Sequence, residues 1–319
     1  MEIPQALAQE ALLAIKKAAH ILIISHRNPD ADTIGSNLAL RQVFERYGKK
    51  VTSACVDKVP EGLTFLKNFD QYVQNFDLSL VDLIVCVDAG SKAQVAFSST
   101  VPELFDGAVP LINIDHHASN EHYGTINFVY PEAASASIVV YFLLKTWQEK
   151  FTENIATCLL YGLYYDTGSF MHSNTNDEVY DTASELLKLG AKLDPIIKNL
   201  FHNQSIEQLK LWGKVLSEAQ VTEKDIVVAG ISQEDFKNTQ TKNSDLSGAI
   251  NYLSMVKNNL FAAILSEDEK GNIRGSLRTR HDHVNLSEIA GLLGGGGHKK
   301  ASGFTFQGKL KKEVKWTIQ

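Results

Sequence analysis

Apolar residues fall in two rhythms along this chain. A helical rhythm runs from Gln5 to Ala18, after which the unbroken apolar run Ile21–Ile24 ends in Ser25-His26 and reads as a buried strand. A loop of Asn, Pro and Asp leads into a helical stretch from Thr33 to Tyr47, stopped by Gly48. A strand follows over Lys50–Val56. Asp82–Val87 is another buried strand, ending in Asp88-Ala89-Gly90, and Leu111–Ile114 is a further one, ending in Asp115. Strands separated by helical stretches predict an α/β fold: a mainly parallel sheet in an N-terminal domain, with helices on both faces.

Helical patterns then dominate over Ser135–Glu149, Thr152–Tyr165, Asp177–Leu189 and Ser205–Ala219. Strand patterns return at Ile226–Ile231, Leu260–Ser266 and Ile273–Thr279, the last two joined by the polar turn Glu267–Asn272 with Gly271. The expected division is an N-terminal domain over 1–190, a helical connector over 191–220 and a smaller, mixed α/β C-terminal domain over 221–319. No Gly/Ser- or Pro-rich linker marks the boundary, and no internal repeat is seen.

Composition narrows the class. A length of 319 residues favours two domains, and 44% hydrophobic with 21% charged residues is ordinary for a globular protein. Cys55, Cys86 and Cys158 are widely spaced; the last two sit in apolar runs and read as buried small hydrophobes of a reducing compartment. The first twenty residues lack the apolar core of a signal peptide, and the longest apolar stretch, Ala136–Leu144, is too short to span a bilayer. A cytoplasmic protein without membrane association is expected. The net charge of −6 is uneven: residues 271–319 carry +6 and the remainder −12. That balance lacks the global basic footprint of a long-duplex binder, while a basic C-terminal region suits a small anion or is merely a basic surface.

Candidate chemistry collects where predicted strands end. His26-Arg27-Asn28-Pro29-Asp30-Ala31-Asp32 follows the first strand, Asp88 follows LIVCV, and Asp115-His116-His117 follows LINI. Carboxyl ends of strands form the ligand crevice of open α/β sheets, so these clusters can converge. Asp166, in Tyr164-Tyr165-Asp166-Thr167-Gly168, is a fourth candidate. Each has an ordinary alternative: Asp32 as a cap of the helix at Thr33, Asp88 as a turn residue, the two histidines as loop residues, Asp166 as a helix end. The combination favours a site. Hard oxygen and imidazole ligands without thiolate suit Mn²⁺ and related divalent ions. Two such ions can share a carboxylate, activate water near neutral pH and neutralise charge on a phosphoryl group. Asp88, single and at the end of a central strand, suits the shared position.

His26-x-x-x-Asp30-x-Asp32, Asp88, Asp115-His116-His117 and Asp166, in this order, resemble the four motifs of the DHH phosphoesterases. The resemblance implies one metal on His26, Asp30 and Asp88 and a second on Asp32, Asp88, His116 and Asp166. It also implies that His117 approaches the substrate phosphate, supported by Asp115. Ala31 departs from the pattern, standing where many members carry Gly. The segment Gly294–Gly303, with Gly296, Gly297 and His298, resembles the glycine-rich motif of the DHH-associated C-terminal domain. Glycines there would free backbone N–H groups to approach an anion, although a flexible surface turn has the same composition. Upstream, Arg274, Ser276, Arg278 and Arg280 alternate onto one face of a predicted strand. By the resemblance, Arg278 and His298 contact substrate.

Length and domain content resemble the branch of compact oligoribonucleases that also act on 3′-phosphoadenosine-5′-phosphate. The resemblance implies a two-metal enzyme cleaving short RNA or small nucleotides. A phosphodiesterase for cyclic or linear dinucleotides is the alternative enzyme, and a non-catalytic nucleotide sensor the alternative of another class. A homodimer is compatible with the sequence, which leaves the oligomeric state open.

Overall fold

A computed structural model describes residues 1–95, 97–202 and 204–311; the side chain of His298 lies outside that description. The chain divides into two compact units, Met1–His202 and Asn203–Gln319.

In the first unit, six strands form one parallel sheet: β1 (His20–Ser25), β2 (Lys50–Ala54), β3 (Tyr72–Val73), β4 (Leu83–Val87), β5 (Leu111–Asp115) and β6 (Ile126–Val129). Their spatial order is β3-β2-β1-β4-β5-β6, all neighbours parallel. The order reverses between β1 and β4, and a ligand crevice forms outside the strand ends at such a switch point. Strand side chains alternate between two cores. Ile21, Ile23, Val85 and Ile112 join the core beneath helices α1 (Gln5–Lys17), α2 (Ala31–Arg46), α3 (Ala136–Thr146), α4 (Glu153–Asp166), α5 (Asp177–Lys188) and α6 (Leu193–Phe201). Leu22, Ile24, Ile84 and Cys86 face the other side, which turns and 3-10 segments close with Leu78, Phe97 and Leu104. The expected helical cover on that second face therefore consists of short 3-10 turns.

Helix α2 begins at Ala31, two residues before the expected start, because Asp30 is its N-cap, accepting from the N–H groups of Asp32 and Thr33. It is buried along most of its length and lies against α4 at backbone distance. A Cβ on Gly35 would stand 2.3 Å from the Cys158 carbonyl oxygen, so only glycine fits there. One level along, a Cβ on Gly162 would stand 2.0 Å from Ser137 Oγ and 2.5 Å from Asp32 Oδ1. That approach brings Asp166, one turn beyond Gly162, towards Asp32.

The second unit carries a six-stranded mixed sheet: β7 (Gln220–Val221), β8 (Ile226–Ile231), β9 (Phe261–Glu267), β10 (Asn272–Arg278), β11 (Gly296–His298) and β12 (Ala301–Gln307). Its order is β11-β12-β10-β9-β8-β7, with only β8 and β9 parallel. Helices α7 (Ile206–Ser217), α8 (Gln233–Thr239) and α9 (Ala249–Leu253) pack Leu211, Val215, Phe236 and Ile250 against β8 and β9; α10 (Leu286–Gly291) adds Leu286 and Ala290 to a smaller core. The hairpin at Glu267–Asn272 forms as expected, with Gly271 at φ +79°. Along β10, Ile273, Gly275 and Leu277 are buried while Arg274 and Ser276 are exposed. The strand ends at Arg278, so Arg280 lies beyond it and the expected face of three strand arginines is reduced to two. The glycine-rich segment is itself a strand. Gly296 pairs with Gly303 and Gly297 with Ser302, and β11, at the edge of the sheet, is paired along that side alone among the described residues. Among the described residues, no helix is long and apolar enough to cross a membrane.

Candidate metal centre

The three strand ends of the first unit meet. His26 follows β1, and its Nδ1 hydrogen-bonds the Arg27 carbonyl at 2.7 Å, which turns Nε2 towards Asp30 (3.6 Å) and Asp88 Oδ2 (3.4 Å). His116 follows β5, and its Nδ1 lies 3.3 Å from the Ala133 carbonyl. Its Nε2 lies 3.4 Å from Asp88 Oδ1 and 3.2 Å from Asp166 Oδ2. Donation of the far ring nitrogen to a backbone carbonyl is the usual way a ligating imidazole is aimed. Asp88, 3% exposed, thus presents one oxygen to each histidine. Its backbone is left-handed, φ +58°, which turns the side chain back over the ends of β1 and β5. Asp88 Oδ1 is buried and accepts no hydrogen bond among the described residues. A buried anionic oxygen faced by the imidazole nitrogens of His116 at 3.4 Å and His117 at 3.6 Å, without a hydrogen bond to either, fits a cation.

Two sets of atoms, His26-Asp30-Asp88 and Asp32-His116-Asp166, are each grouped closely enough to hold a metal ion, and Asp88 lies beside both. A third grouping, Asp88-His116-His117, overlaps these, and Nδ1 of His117 lies 3.6 Å from Asp88 Oδ1. That nitrogen also pairs with Asp115 Oδ1 at 2.7 Å, which fixes the ring of His117 beside Asp88. Asp32 does not cap its own helix. Its two oxygens accept from the N–H groups of Ala136 (2.6 Å) and Ser137 (2.9 Å), where the positive end of α3 holds the carboxylate in place. The sequence reading missed this contact; the small-residue run Ala133–Ser137 ahead of an apolar helix was its only local sign.

Electrostatics show how strongly the centre calls for positive charge. Burial, with Asp88 nearby, pushes Asp32 up to about 7. Burial and the neighbouring Asp32 hold Asp166 well above the carboxylate range. Burial alone would lower His26, but Asp30 and Asp88 outweigh it and raise the imidazole to about 12. Burial alone would likewise lower His116, but Asp88 and Asp166 outweigh it and hold the imidazole well above its ordinary range. Asp88 itself, despite burial, is held far below the ordinary carboxylate range by His116 and His26. Without cations, protons on imidazoles and carboxyls neutralise the cluster.

The residues expected to meet substrate divide between the units. His117 stands beside Asp88 and Asp115 in the first. Arg278 ends β10, half-buried, and Gly296 and Gly297 lie in β11, with Gly297 at φ +135°. The side chain of His298 lies outside the described residues.

Comparison with known proteins gives the same division. The family model described as "DHH family, N-terminal domain" matches residues 20–163, and that of the DHHA1 domain matches residues 223–316. The bifunctional oligoribonuclease and PAP phosphatase NrnA of Thermus thermophilus is 33% identical over 304 residues, covering 95% of this chain and 88% of the relative. The crystal structure of an exopolyphosphatase-related protein from Bacteroides fragilis superposes with a TM-score of 0.89 at 28% identity, covering 97% of this chain and 93% of the other. RecJ from Thermus thermophilus, in complex with Mn²⁺, shares the fold at a TM-score of 0.57 and 14% identity, covering 95% of this chain and 52% of its own.

Proposed function

This chain belongs to the DHH family, and we propose that it is a phosphoesterase dependent on two divalent ions, Mn²⁺ foremost, that hydrolyses short oligoribonucleotides and 3′-phosphoadenosine-5′-phosphate. The observation that carries this reading is Asp88: buried, its two oxygens facing His26 and His116 at 3.4 Å, beside two ligand groups built only from imidazole and carboxylate. The name of the Thermus relative, an oligoribonuclease and PAP phosphatase, supports the substrate class.

In this reading His26, Asp30 and Asp88 hold one ion, and Asp32, His116 and Asp166, with Asp88, hold the other. Bound there, the ions supply a nucleophile at neutral pH and positive charge for the phosphoryl oxygens. The chain's own groups do the rest. Asp115 fixes the ring of His117, which meets the scissile phosphate and is suited to carry a proton to or from it. Asp32 and His116 are anchored by backbone groups, so the ligand set is held in position before substrate arrives. In the second unit, Arg278, Gly296, Gly297 and His298 are assigned to substrate anions, through a guanidinium fork and backbone N–H groups. The three free, buried cysteines fit a reducing cytoplasm.

A Mn²⁺-dependent substrate panel tests this: RNAs of graded length, 3′-phosphoadenosine-5′-phosphate, cyclic and linear dinucleotides, and pyrophosphate. Turnover of short RNA and the nucleotide bisphosphate is expected. Exclusive turnover of cyclic or linear dinucleotides would replace the substrate assignment, and binding without turnover would make the chain a sensor.

A further inference from the structure

Inside strand β5, ahead of its terminal Asp115, the one polar residue is Asn113, which is fully buried beside the Asp115-His116-His117 corner. A buried amide carries a desolvation cost that an apolar side chain would not, so its partners matter. Asn113 Nδ2 donates to Asn127 Oδ1 on β6 at 3.1 Å and to Asn120 Oδ1 at 2.9 Å. Asn127 is itself closed onto Gly124, through N–H to Oδ1 at 3.0 Å and Nδ2 to C=O at 2.7 Å. Asn120 Oδ1 accepts a second bond from the His122 N–H at 2.7 Å. Asn120 Nδ2 points the other way, donating to Asp115 Oδ2 at 2.5 Å and to the Ala89 carbonyl at 3.2 Å. A flipped amide would set its oxygen against a carboxylate and a carbonyl while its NH₂ faced two donors, so the surroundings allow one orientation.

Asn120 Nδ2 also reaches Asn113 Oδ1 at 3.4 Å, and its other two acceptors, Asp115 and Ala89, lead to two parts of the centre. Asp115 uses its other oxygen, Oδ1, to receive Nδ1 of His117. Ala89 follows Asp88, the left-handed residue shared by both ligand groups, and its carbonyl also accepts from the Tyr123 hydroxyl at 2.9 Å. Gly90 completes the turn: a Cβ there would stand 3.0 Å from Cβ of His117, so the imidazole packs directly on the backbone after Asp88.

We propose that Asn120 is a positioning residue of the reaction, which sets the tautomer and tilt of His117 through Asp115 and braces the Asp88 turn through the Ala89 carbonyl. The proposal rests on the reading that His117 handles the substrate phosphate. It makes the amide row Asn127–Asn113–Asn120 the support of a relay ending on His117, anchored in the sheet rather than in a mobile loop. A donor is required at position 120, facing a carboxylate, so an isosteric acid cannot replace it.

The test is a double-mutant comparison in Mn²⁺-loaded protein with a dinucleotide substrate. Asn120→Ala is expected to lower kcat roughly 10- to 100-fold, the scale of one hydrogen bond to a charged group, with KM changed by less than about threefold and metal content kept. In the His117→Ala background, the same change should cost less than about twofold, because its route to the chemistry is already gone. Asn120→Asp, which keeps the shape and loses the donor, should fall at least as far as Asn120→Ala. In Mg²⁺-loaded protein, the His117 Nδ1–H resonance, identified by its loss in His117→Ala, should shift or broaden in Asn120→Ala. Equal losses in both backgrounds, restoration by Asp, loss of ions, or an unmoved resonance would each overturn the proposal. If the wild-type protein turned over no phosphoester, the functional reading would fail instead, and the resonance would still decide the placement of His117 by Asn120.

Discussion

Gly162→Ala separates helix propensity from site geometry. Both Gly162 in α4 and Gly213 in α7 lie inside helices, where alanine is intrinsically better by about 1 kcal/mol. At Gly213 an added Cβ meets nothing within 4 Å, so Gly213→Ala should leave stability unchanged or raise it by up to about 1 kcal/mol. At Gly162 the Cβ would stand 2.0 Å from Ser137 Oγ, 2.5 Å from Asp32 Oδ1 and 2.9 Å from Asp32 Cα. The last of these is backbone and cannot rotate away. Overpacking of this kind costs about 1–3 kcal/mol. Moving Asp32 Oδ1 off the Ser137 N–H adds about 1.5–3 kcal/mol for a bond to a charged group. After the propensity gain, a net loss of roughly 1.5–5 kcal/mol remains, or about 3–20 °C in Tm for a domain of this size. The readouts are thermal unfolding of the two variants side by side and Mn²⁺ titration, in which Gly162→Ala should bind one ion more weakly. Equal behaviour of Gly162→Ala and Gly213→Ala would show that α2, α3 and α4 do not set the position of Asp32.

Three further outcomes are expected. Asp88→Asn should keep the fold, by circular dichroism, and lose more than about nine-tenths of the activity, at least ~1.4 kcal/mol of barrier, since a neutral amide serves two cations poorly; higher residual activity would remove Asp88 from the shared position. Metal binding should release protons and weaken from pH 8 to pH 6, because Asp32 titrates at about 7 and the raised imidazoles must give up protons to accept an ion. Calorimetry in buffers of different ionisation enthalpy measures this, and zero proton release would contradict the charge balance described. Arg278→Ala should cut kcat/KM on dinucleotides roughly 10- to 100-fold with metal content intact, and wild-type efficiency should fall as RNA lengthens from about two to ten nucleotides with a shallow salt slope; kinetics that rise with length would refute the assignment.

Strands β1, β4 and β5 were legible because each is a short, largely apolar run buried on both faces, and His26, Asp88 and His116 directly follow their ends. The candidate cluster could be read partly for the same reason, since strand ends locate His26, Asp88 and His116, while Asp166 closes helix α4 and joins them in the folded unit. Helix α2 was misplaced by two residues because Pro-Asp-Ala-Asp offers two capping aspartates, and only geometry shows that Asp30 caps α2 while Asp32 serves α3, 104 positions away in sequence. Strands β3 and β6 are too short for periodicity to reveal. Strand β11 was hidden because glycines have no side chains to alternate. Asn120 looked like any polar residue after a strand; its meaning lies in the amides of Asn113 and Asn127, which become its neighbours only in the folded sheet.

The backbone of Asp88 bears on how such a centre changes over time. Its conformation at φ +58° admits few side chains besides glycine, asparagine and aspartate. The role proposed for it, serving two cations at once, admits carboxylates. Aspartate is the member common to both sets, since glutamate suits the cations but not the turn, and glycine suits the turn but offers no oxygen. Asparagine is the neighbour that preserves the fold and abandons the chemistry, one base change away in the codon. Catalyst and silent binder are therefore adjacent sequences at this position, and descent from the first to the second needs no repair elsewhere in the protein.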